Sequence, residues 1–130
     1  MVGKVPRRDY NLVYLGFHGS PENIFIGSQV VGLTEIAEIF GKRLKGKGIH
    51  FASCSVLNTD KEKISEFIEK TGVKFLSGYS QDIDYIEGSV MDLAFLGKWF
   101  QYSRIGNLRN AIEKSYGDFI SENGFKFYLG

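Results

Sequence analysis

The sequence predicts an α/β domain built around a mostly parallel sheet. Extended apolar segments alternate along the chain with segments whose apolar residues recur at helical spacing, which is typical of parallel α/β sheets. The strand segments are nearly continuous in apolar residues, as expected of strands that helices cover on both faces. The chain has 130 residues, 43% of them hydrophobic, which predicts one domain spanning residues 1–130 with a core that needs neither disulfides nor metal.

The first half of the chain is predicted to contain two main strands. Residues 11–17 (NLVYLGF) form the first main strand, and residues 23–27 form a short strand that belongs to a hairpin. A helix follows from about Thr34, because apolar residues then recur every three or four positions. Residues 49–52 (IHFA) form the second main strand, so a helical crossover joins the two main strands.

The second half is predicted to add one more main strand, several helices and a terminal strand. Thr59 and Glu62 form a capping box that begins a helix, and Gly72 ends it. The remaining elements are a strand, two helices and a final strand, at residues 73–79, 85–102, 103–123 and 125–129. The helix at residues 85–102 is apolar over more than one face, which favours deep burial over packing on a partner.

Charge and composition disfavour a nucleic-acid partner, secretion and insertion into a membrane. The 16 Lys and Arg residues are nearly matched by 15 Asp and Glu residues, which disfavours nucleic acid. Residues 1–8 lack the apolar core of a secretory signal, and no apolar run reaches the ~20 residues that span a bilayer. Cys54 is the single cysteine, which predicts a reducing cytoplasmic setting and no multi-cysteine metal site.

Two chemically reactive side chains follow the first two main strands. His18 follows the first and Cys54 follows the second, 36 positions later. Because parallel strands end at the same edge of a sheet, we expect these two residues to approach each other. An imidazole beside a thiol can take its proton and leave a nucleophilic thiolate. Either residue alone is more often structural, but together they predict acyl-transfer chemistry.

The main-chain N–H groups of Gly19 and Cys54 are the predicted donors to an oxyanion. They lie at the same strand ends as the reactive pair, where such donors can face a substrate carbonyl. Gly19 has no side chain that would block the approach of that carbonyl. The sequence therefore predicts an oxyanion hole beside the thiol.

Other residues with reactive groups are weaker candidates. His50 lies four positions before Cys54, about 13 Å away along a strand, toward its buried end. It is therefore predicted to be structural. Ser20, Ser53 and Ser55 are predicted to serve in turns and hydrogen bonds, because the chain has no Gly-x-Ser-x-Gly elbow.

This pattern resembles the caspase-like superfamily, which includes caspases, gingipain- and clostripain-like peptidases, separase and CHAT domains. Residues 17–20 (FHGS) and 51–55 (FASCS) are most similar to the CHAT-domain and bacterial caspase-like branch. The resemblance implies a three-layer sandwich and a cysteine endopeptidase that acts on proteins or peptides without a cofactor. It implies that His18 is the general base, Cys54 the nucleophile, and the N–H groups of Gly19 and Cys54 the oxyanion hole. The order of histidine before cysteine fits this superfamily and argues against papain-like peptidases and class I glutaminases, in which the cysteine comes before the histidine.

The chain departs from that family at its N-terminus. Members carry two strands and their helices before the histidine strand, whereas about ten residues precede it here. The first two strands of the family's sheet are therefore expected to be missing. An apolar open edge at residues 11–17 favours aggregation, so we expect a second chain, a second copy or an N-terminal segment to cover it.

Specificity is expected to depend on acidic residues near the thiol. In several of these peptidases an acidic residue selects Arg or Lys before the cut, and the residue ahead of the cysteine is often Asp, whereas here it is Ser53. Asp82 and Asp84 are the predicted replacements, and Asp84 is preferred. An N-cap role for Asp84 is at least as well supported. Tyr79 and Ser80 are expected to line the substrate cleft, and Ser53 is a further candidate for substrate binding.

Two other functions stay open from the sequence. The first is a catalytically inactive caspase-like scaffold or regulatory subunit, which the short N-terminus favours. The second is a small α/β ligand-binding domain, which ranks lower because the chain has no Gly-x-Gly-x-x-Gly or P-loop pattern.

Overall fold

The computed structural model describes residues 11–130, and within them the chain is a mixed α/β protein. The strands are β1 (Leu12–Leu15), β2 (His18–Ser20), β3 (Asn23–Ile26), β4 (Gln29–Gly32), β5 (Gly48–Phe51), β6 (Phe75–Tyr79) and β7 (Phe125–Leu129). The α-helices are α1 (Leu33–Phe40), α2 (Lys61–Thr71), α3 (Tyr85–Gln101) and α4 (Ile105–Asn123), and a short 3-10 helix spans Gly41–Leu44. No helix among these residues is long and apolar enough to cross a membrane.

The main sheet has the strand order β1-β5-β6-β7. Strands β1, β5 and β6 run parallel, and β7 joins antiparallel to β6. This confirms the predicted mostly parallel sheet and the predicted adjacency of the first two main strands. In the described part of the chain β1 is an edge strand, and its covering by another chain stays a prediction.

Helices cover the main sheet on both faces. Alternate residues of β5 and β6 point to opposite faces, as the strand period requires. Ile49 and Leu76 pack with helices α1 and α2, while Phe75 and Tyr79 pack with helices α3 and α4. The described chain therefore has three layers, with a separate apolar core on each side of the sheet.

A small antiparallel sheet follows β1 directly and has the order β2-β3-β4. The sequence analysis predicted the short strand at β3 but neither β2 nor β4. Strand β1 is also shorter than predicted, because the chain leaves the main sheet after Leu15 and His18 begins β2. The two-residue turn at Gly27 and Ser28 contains a positive φ of 62° at the glycine, which suits a hairpin turn.

Helix α2 begins one residue later than the predicted capping box. The side chain of Asp60 accepts a hydrogen bond from the Lys63 N–H at 2.9 Å, so Asp60 is the N-cap. The Thr59 hydroxyl instead donates to Glu22 at 2.6 Å, so the predicted Thr59 cap is wrong. Gly72 ends the helix in the left-handed conformation, as predicted.

The prediction that helix α3 is deeply buried is correct for one face only. Met91 and Phe95 are fully buried against the sheet. Residues Ile86 and Leu93, by contrast, lie largely exposed on the opposite face of the same helix. The apolar composition of α3 therefore serves a core on one side and leaves an apolar surface on the other.

Candidate functional site

The register of β1 against β5 leads toward His18 after one strand and Cys54 after the other. Leu12 pairs with Gly48 and Leu15 with Phe51, so partners are 36 positions apart, and His18 and Cys54 are also 36 positions apart. Beyond the last pair, the Ala52 N–H still donates to the Leu15 carbonyl at 2.8 Å. The segments that follow β1 and β5 therefore leave the main sheet at the same level.

The residues on both sides of His18 contact the segment around Cys54. Before it, the Phe17 N–H donates to Ser53 Oγ at 3.3 Å. After it, the backbone of Gly19 lies so close to the Cys54 carbonyl oxygen that an added Cβ would be 2.5 Å from that oxygen. We call this end of the parallel pair, with His18, Gly19, Cys54 and Asp82, the Cys54 edge.

Glycine is required at position 19 by packing within the chain. A Cβ there would also lie 2.7 Å from Val56 Cγ2 and 3.0 Å from Ser53 Cβ. These contacts explain the residue after His18 without a substrate, whereas the sequence analysis attributed it to substrate approach.

We expect Gly19→Ala to lower the free energy of unfolding by roughly 1–3 kcal/mol, because β2 must move away from Cys54 to admit the methyl group. Urea denaturation followed by Trp99 fluorescence measures the change. The control is Gly106→Ala in helix α4, where nothing lies within 4 Å and a stabilisation of roughly 0.5–1 kcal/mol is expected. Equal or greater stability of Gly19→Ala would contradict the close approach.

The Cys54 thiol is half-buried and donates a hydrogen bond to the Ile83 carbonyl, with Sγ 3.6 Å from the oxygen. The His18 side chain is exposed. Among the hydrogen bonds of residues 11–130, none joins His18 to Cys54. The two residues therefore follow adjacent strands without a hydrogen bond between their side chains.

Ser55 gives the Cys54 turn a constrained backbone. Its φ of 58° lies in the left-handed region, which few residues other than glycine adopt. Two hydrogen bonds hold it there, from its N–H to the Gln81 carbonyl at 3.1 Å and from its hydroxyl to Asp82 Oδ1 at 2.6 Å. The turn that carries the thiol is thus fastened to the segment that follows β6.

The two predicted acidic residues have different positions. Asp82 accepts the Ser55 hydroxyl, which places its carboxylate next to the Cys54 turn. Asp84 is the N-cap of helix α3 and accepts hydrogen bonds from the N–H groups of Ile86 and Glu87, at 2.9 and 3.3 Å. The N-cap interpretation of Asp84 is therefore correct, and its carboxylate is already engaged.

Two predicted substrate-binding residues are not on the surface. The Tyr79 side chain is 1% exposed and lies between the main sheet and helix α3. Ser53 is also buried, and its hydroxyl accepts the Phe17 N–H. Both side chains are therefore buried in this conformation, and their role in substrate binding stays a prediction.

Comparison with known proteins places the chain in a family. A protein-family model described as "Family of unknown function (DUF6642)" matches residues 4–129. The chain belongs to DUF6642. No curated protein and no solved structure matches it.

The DUF6642 chain also contains a buried polar network that sequence reasoning missed. His50 is fully buried, with Nδ1 2.8 Å from Ser77 Oγ and Nε2 2.7 Å from Asp92 Oδ1. Asp92 also accepts the hydroxyls of Tyr79 at 2.6 Å and Tyr14 at 3.1 Å. The prediction that His50 is structural agrees with this burial. A lone aspartate on the apolar stretch of α3 was the available signal.

The network suppresses ionisation of its tyrosines in the DUF6642 chain. Burial, reinforced by the Asp92 carboxylate, raises the pKa of Tyr14 to about 12. The same two causes raise the pKa of the Tyr79 phenol, which is the more deeply buried of the two. Both hydroxyls therefore stay protonated as hydrogen-bond donors and are unsuited to act as bases near neutral pH.

The Cys54 edge of the DUF6642 chain lies apart from an open groove on the far side of the main sheet. Within residues 11–130 no group of three or more His, Cys, Asp and Glu side chains has the arrangement of a metal site. An open groove of about 350 Å³ lies over β7, at the other end of the main sheet, and includes Lys61, Arg109 and Tyr128. The groove shares no residue with the Cys54 edge.

Proposed function

We propose that the chain is a caspase-like cysteine endopeptidase that hydrolyses peptide bonds through His18 and Cys54. The observation that supports this best is that β1 and β5 are adjacent parallel strands in a register that, if continued by three residues, would pair His18 with Cys54. Contacts of the Phe17 and Gly19 backbones keep the backbone of His18 near the Cys54 turn, whichever position the His18 side chain takes. The resemblance of both strand ends to the caspase-like superfamily supports the same function.

The first step forms the nucleophile and the acyl-enzyme bond. The thiol gives up its hydrogen bond to Ile83, and His18 takes the proton, leaving a thiolate. The thiolate sulfur attacks the substrate carbonyl carbon and forms a C–S bond. The N–H groups of Gly19 and Cys54 stabilise the negative charge that develops on the carbonyl oxygen.

The second step releases both products. The C–N bond breaks, and protonated His18 donates its proton to the leaving amine. His18 then removes a proton from a water molecule, which attacks the thioester carbonyl, so that the acid product leaves and the thiol is restored. No oxidant, reductant or metal enters this sequence of proton transfers.

Asp82 is the acidic residue that we assign to substrate selection. Its carboxylate bonds to Ser55 in the Cys54 turn, whereas the Asp84 carboxylate bonds to the first turn of helix α3. A carboxylate near the thiol attracts a cationic side chain. Substrates with Arg or Lys before the cut are therefore expected to react fastest.

A catalytically inactive scaffold is the second candidate function. The hydrogen bond from Cys54 to Ile83, in place of one to His18, favours it. In that case the strand ends keep their packing role, and Gly19 is retained because only glycine fits against Cys54. The two candidates differ in whether the thiol reacts faster than an ordinary cysteine.

The test is labelling with thiol-reactive peptide probes that carry Arg, Lys, Asp or Leu before the warhead. We expect fast labelling of the wild type by the Arg and Lys probes, none of Cys54→Ala, and a rate at least ~10²-fold lower for His18→Ala. The matched control is Ser65→Cys in a Cys54→Ala background, which places an unassisted thiol on the exposed face of α2. Equal labelling rates for the wild type and for this control at every pH would support the scaffold instead.

A further inference from the structure

Helix α3 presents a continuous apolar stripe to solvent. Its members are Ile86, Val90, Leu93, Gly97 and Phe100, with side-chain exposures of 71%, 52%, 69% and 51% for the four non-glycine residues. The spacing alternates between four and three residues, so all five lie within about 80° of the helix circumference. We call these five residues the α3 stripe.

This stripe has the pattern of a helix–helix seam. A four-three repeat of apolar residues is the pattern by which helices pack side by side as coiled coils. The opposite face of α3 is already buried, because Met91 and Phe95 pack on the main sheet. The α3 stripe therefore lies outside the core that Met91 and Phe95 join, and a contiguous exposed apolar patch of this kind marks an interaction site.

We propose that two copies of this chain associate through the α3 stripe, with the helices antiparallel and a two-fold axis near Leu93. That axis sets Ile86 of one copy against Phe100 of the other, at both ends of the stripe. It also sets Val90 close to Gly97, where nothing within 4 Å fills the space above the glycine. The stripe is thus complementary to itself in this direction.

Charges along α3 favour the same direction. The N-terminal end of the helix carries Asp84 and Glu87, and its last turn carries Lys98. Glu87 and Lys98 lie on the same flank of the helix, since 11 residues are close to three turns. An antiparallel pair brings each Glu87 toward the Lys98 of the other copy, whereas a parallel pair sets like charges together.

A second copy fits this surface better than a lipid membrane does. Helices that lie on anionic membranes carry Lys and Arg along the polar flanks of the apolar face. Here the flanks include Glu87, and Asp84 lies at the helix start. The proposed self-association involves no residue of the Cys54 edge, so it can be tested independently of the proposed peptidase activity.

The first experiment measures the mass of the full chain in solution by analytical ultracentrifugation. We expect a dimer at about 100 µM, and a monomer for Leu93→Lys, because a charge at the axis would face its own copy. The matched control is Ile39→Lys, an exposed isoleucine on helix α1 that should leave the dimer intact. A monomeric wild type, or an equally dimeric Leu93→Lys, would overturn the proposal.

The second experiment tests direction with disulfides in a Cys54→Ser background. Ile86→Cys and Phe100→Cys chains should cross-link under mild oxidation when mixed, while each alone should cross-link at least ~10-fold less. Strong cross-linking of each variant with itself would mean a parallel pair and would contradict the antiparallel arrangement. Sedimentation of a monomeric wild type with anionic vesicles, lost in Leu93→Lys, would assign the α3 stripe to a lipid surface instead.

Discussion

Replacing Asp92 with alanine should lower the free energy of unfolding by roughly 2–5 kcal/mol. The carboxylate bonds to His50 Nε2 at 2.7 Å and accepts the hydroxyls of Tyr79 and Tyr14. Its removal leaves the buried His50 Nε2 without a partner and leaves the buried Tyr79 hydroxyl with only the Gly88 carbonyl, 3.4 Å away. A buried polar group that loses its partner costs about 1–3 kcal/mol. Urea denaturation followed by the fluorescence of Trp99, the single tryptophan, measures the loss.

Two variants separate the role of this network from general effects of mutation. Asp92→Asn keeps an acceptor oxygen for His50 and Tyr79, so its loss should be less than half that of Asp92→Ala. Asp118→Ala removes an exposed carboxylate from helix α4 and should change stability by no more than ~0.5 kcal/mol. A loss below ~1 kcal/mol for Asp92→Ala would show that water satisfies the buried groups.

Replacing Phe95 with alanine should cost about 3–5 kcal/mol, the usual range for deletion of a buried aromatic ring. Phe95 is fully buried and stacks on His50, with the ring centroids 4.7 Å apart. Its ring also contacts three rings of the sheet, which are those of Phe75 on β6 and of Phe125 and Phe127 on β7. Its removal opens a cavity between helix α3 and the sheet that the rigid strands cannot close.

Leu93→Ala on the same helix is the matched control. Its side chain belongs to the α3 stripe and is 69% exposed, so its loss should change the unfolding of the monomer by ~0.5 kcal/mol or less. Both variants are compared at a concentration below that at which the chain associates. A cost for Leu93→Ala as large as that for Phe95→Ala would mean that the two faces of α3 are not distinguished as the structure has them.

The main sheet could be predicted because its strands are buried on both faces. Such strands are nearly continuous in apolar residues, and residues 49–52 and 73–79 were recognised on that basis. Their parallel pairing followed from the helices between them. The meeting of His18 and Cys54 at one edge followed in turn, because it depends on strand order and not on side-chain packing.

The small sheet could not be predicted in full because its strands carry little pattern. Strand β2 has three residues, and β4 (QVVG) has only a pair of adjacent valines, so neither shows a strand pattern. Strand β3 (NIFI) could be predicted because its last three residues are all apolar. The start of helix α2 was misplaced by one residue for a related reason. Thr59 and Asp60 are both good N-caps, and only the contact between Thr59 and Glu22 decides between them.

The features of the site that the sequence did not reveal depend on contacts between distant parts of the chain. Tyr79 ends β6 at the predicted edge, but its side chain turns into the core to reach Asp92 on helix α3. The bond between His50 and Asp92 joins residues 42 positions apart. No local pattern specifies either contact, although a histidine in a buried strand and an aspartate in an apolar helix each require a partner.

The paired strand ends of β1 and β5 have a consequence for comparing relatives of this protein. The histidine and the cysteine are brought together by register, while the residues between β2 and β5 form an excursion outside the main sheet. Lengthening the exposed turn at Gly27 would change the number of residues between the pair without moving either one, because surface loops tolerate insertions at little energetic cost. The interval along the chain is therefore free to vary among homologues. The alignment of the two strand ends is the feature to search for.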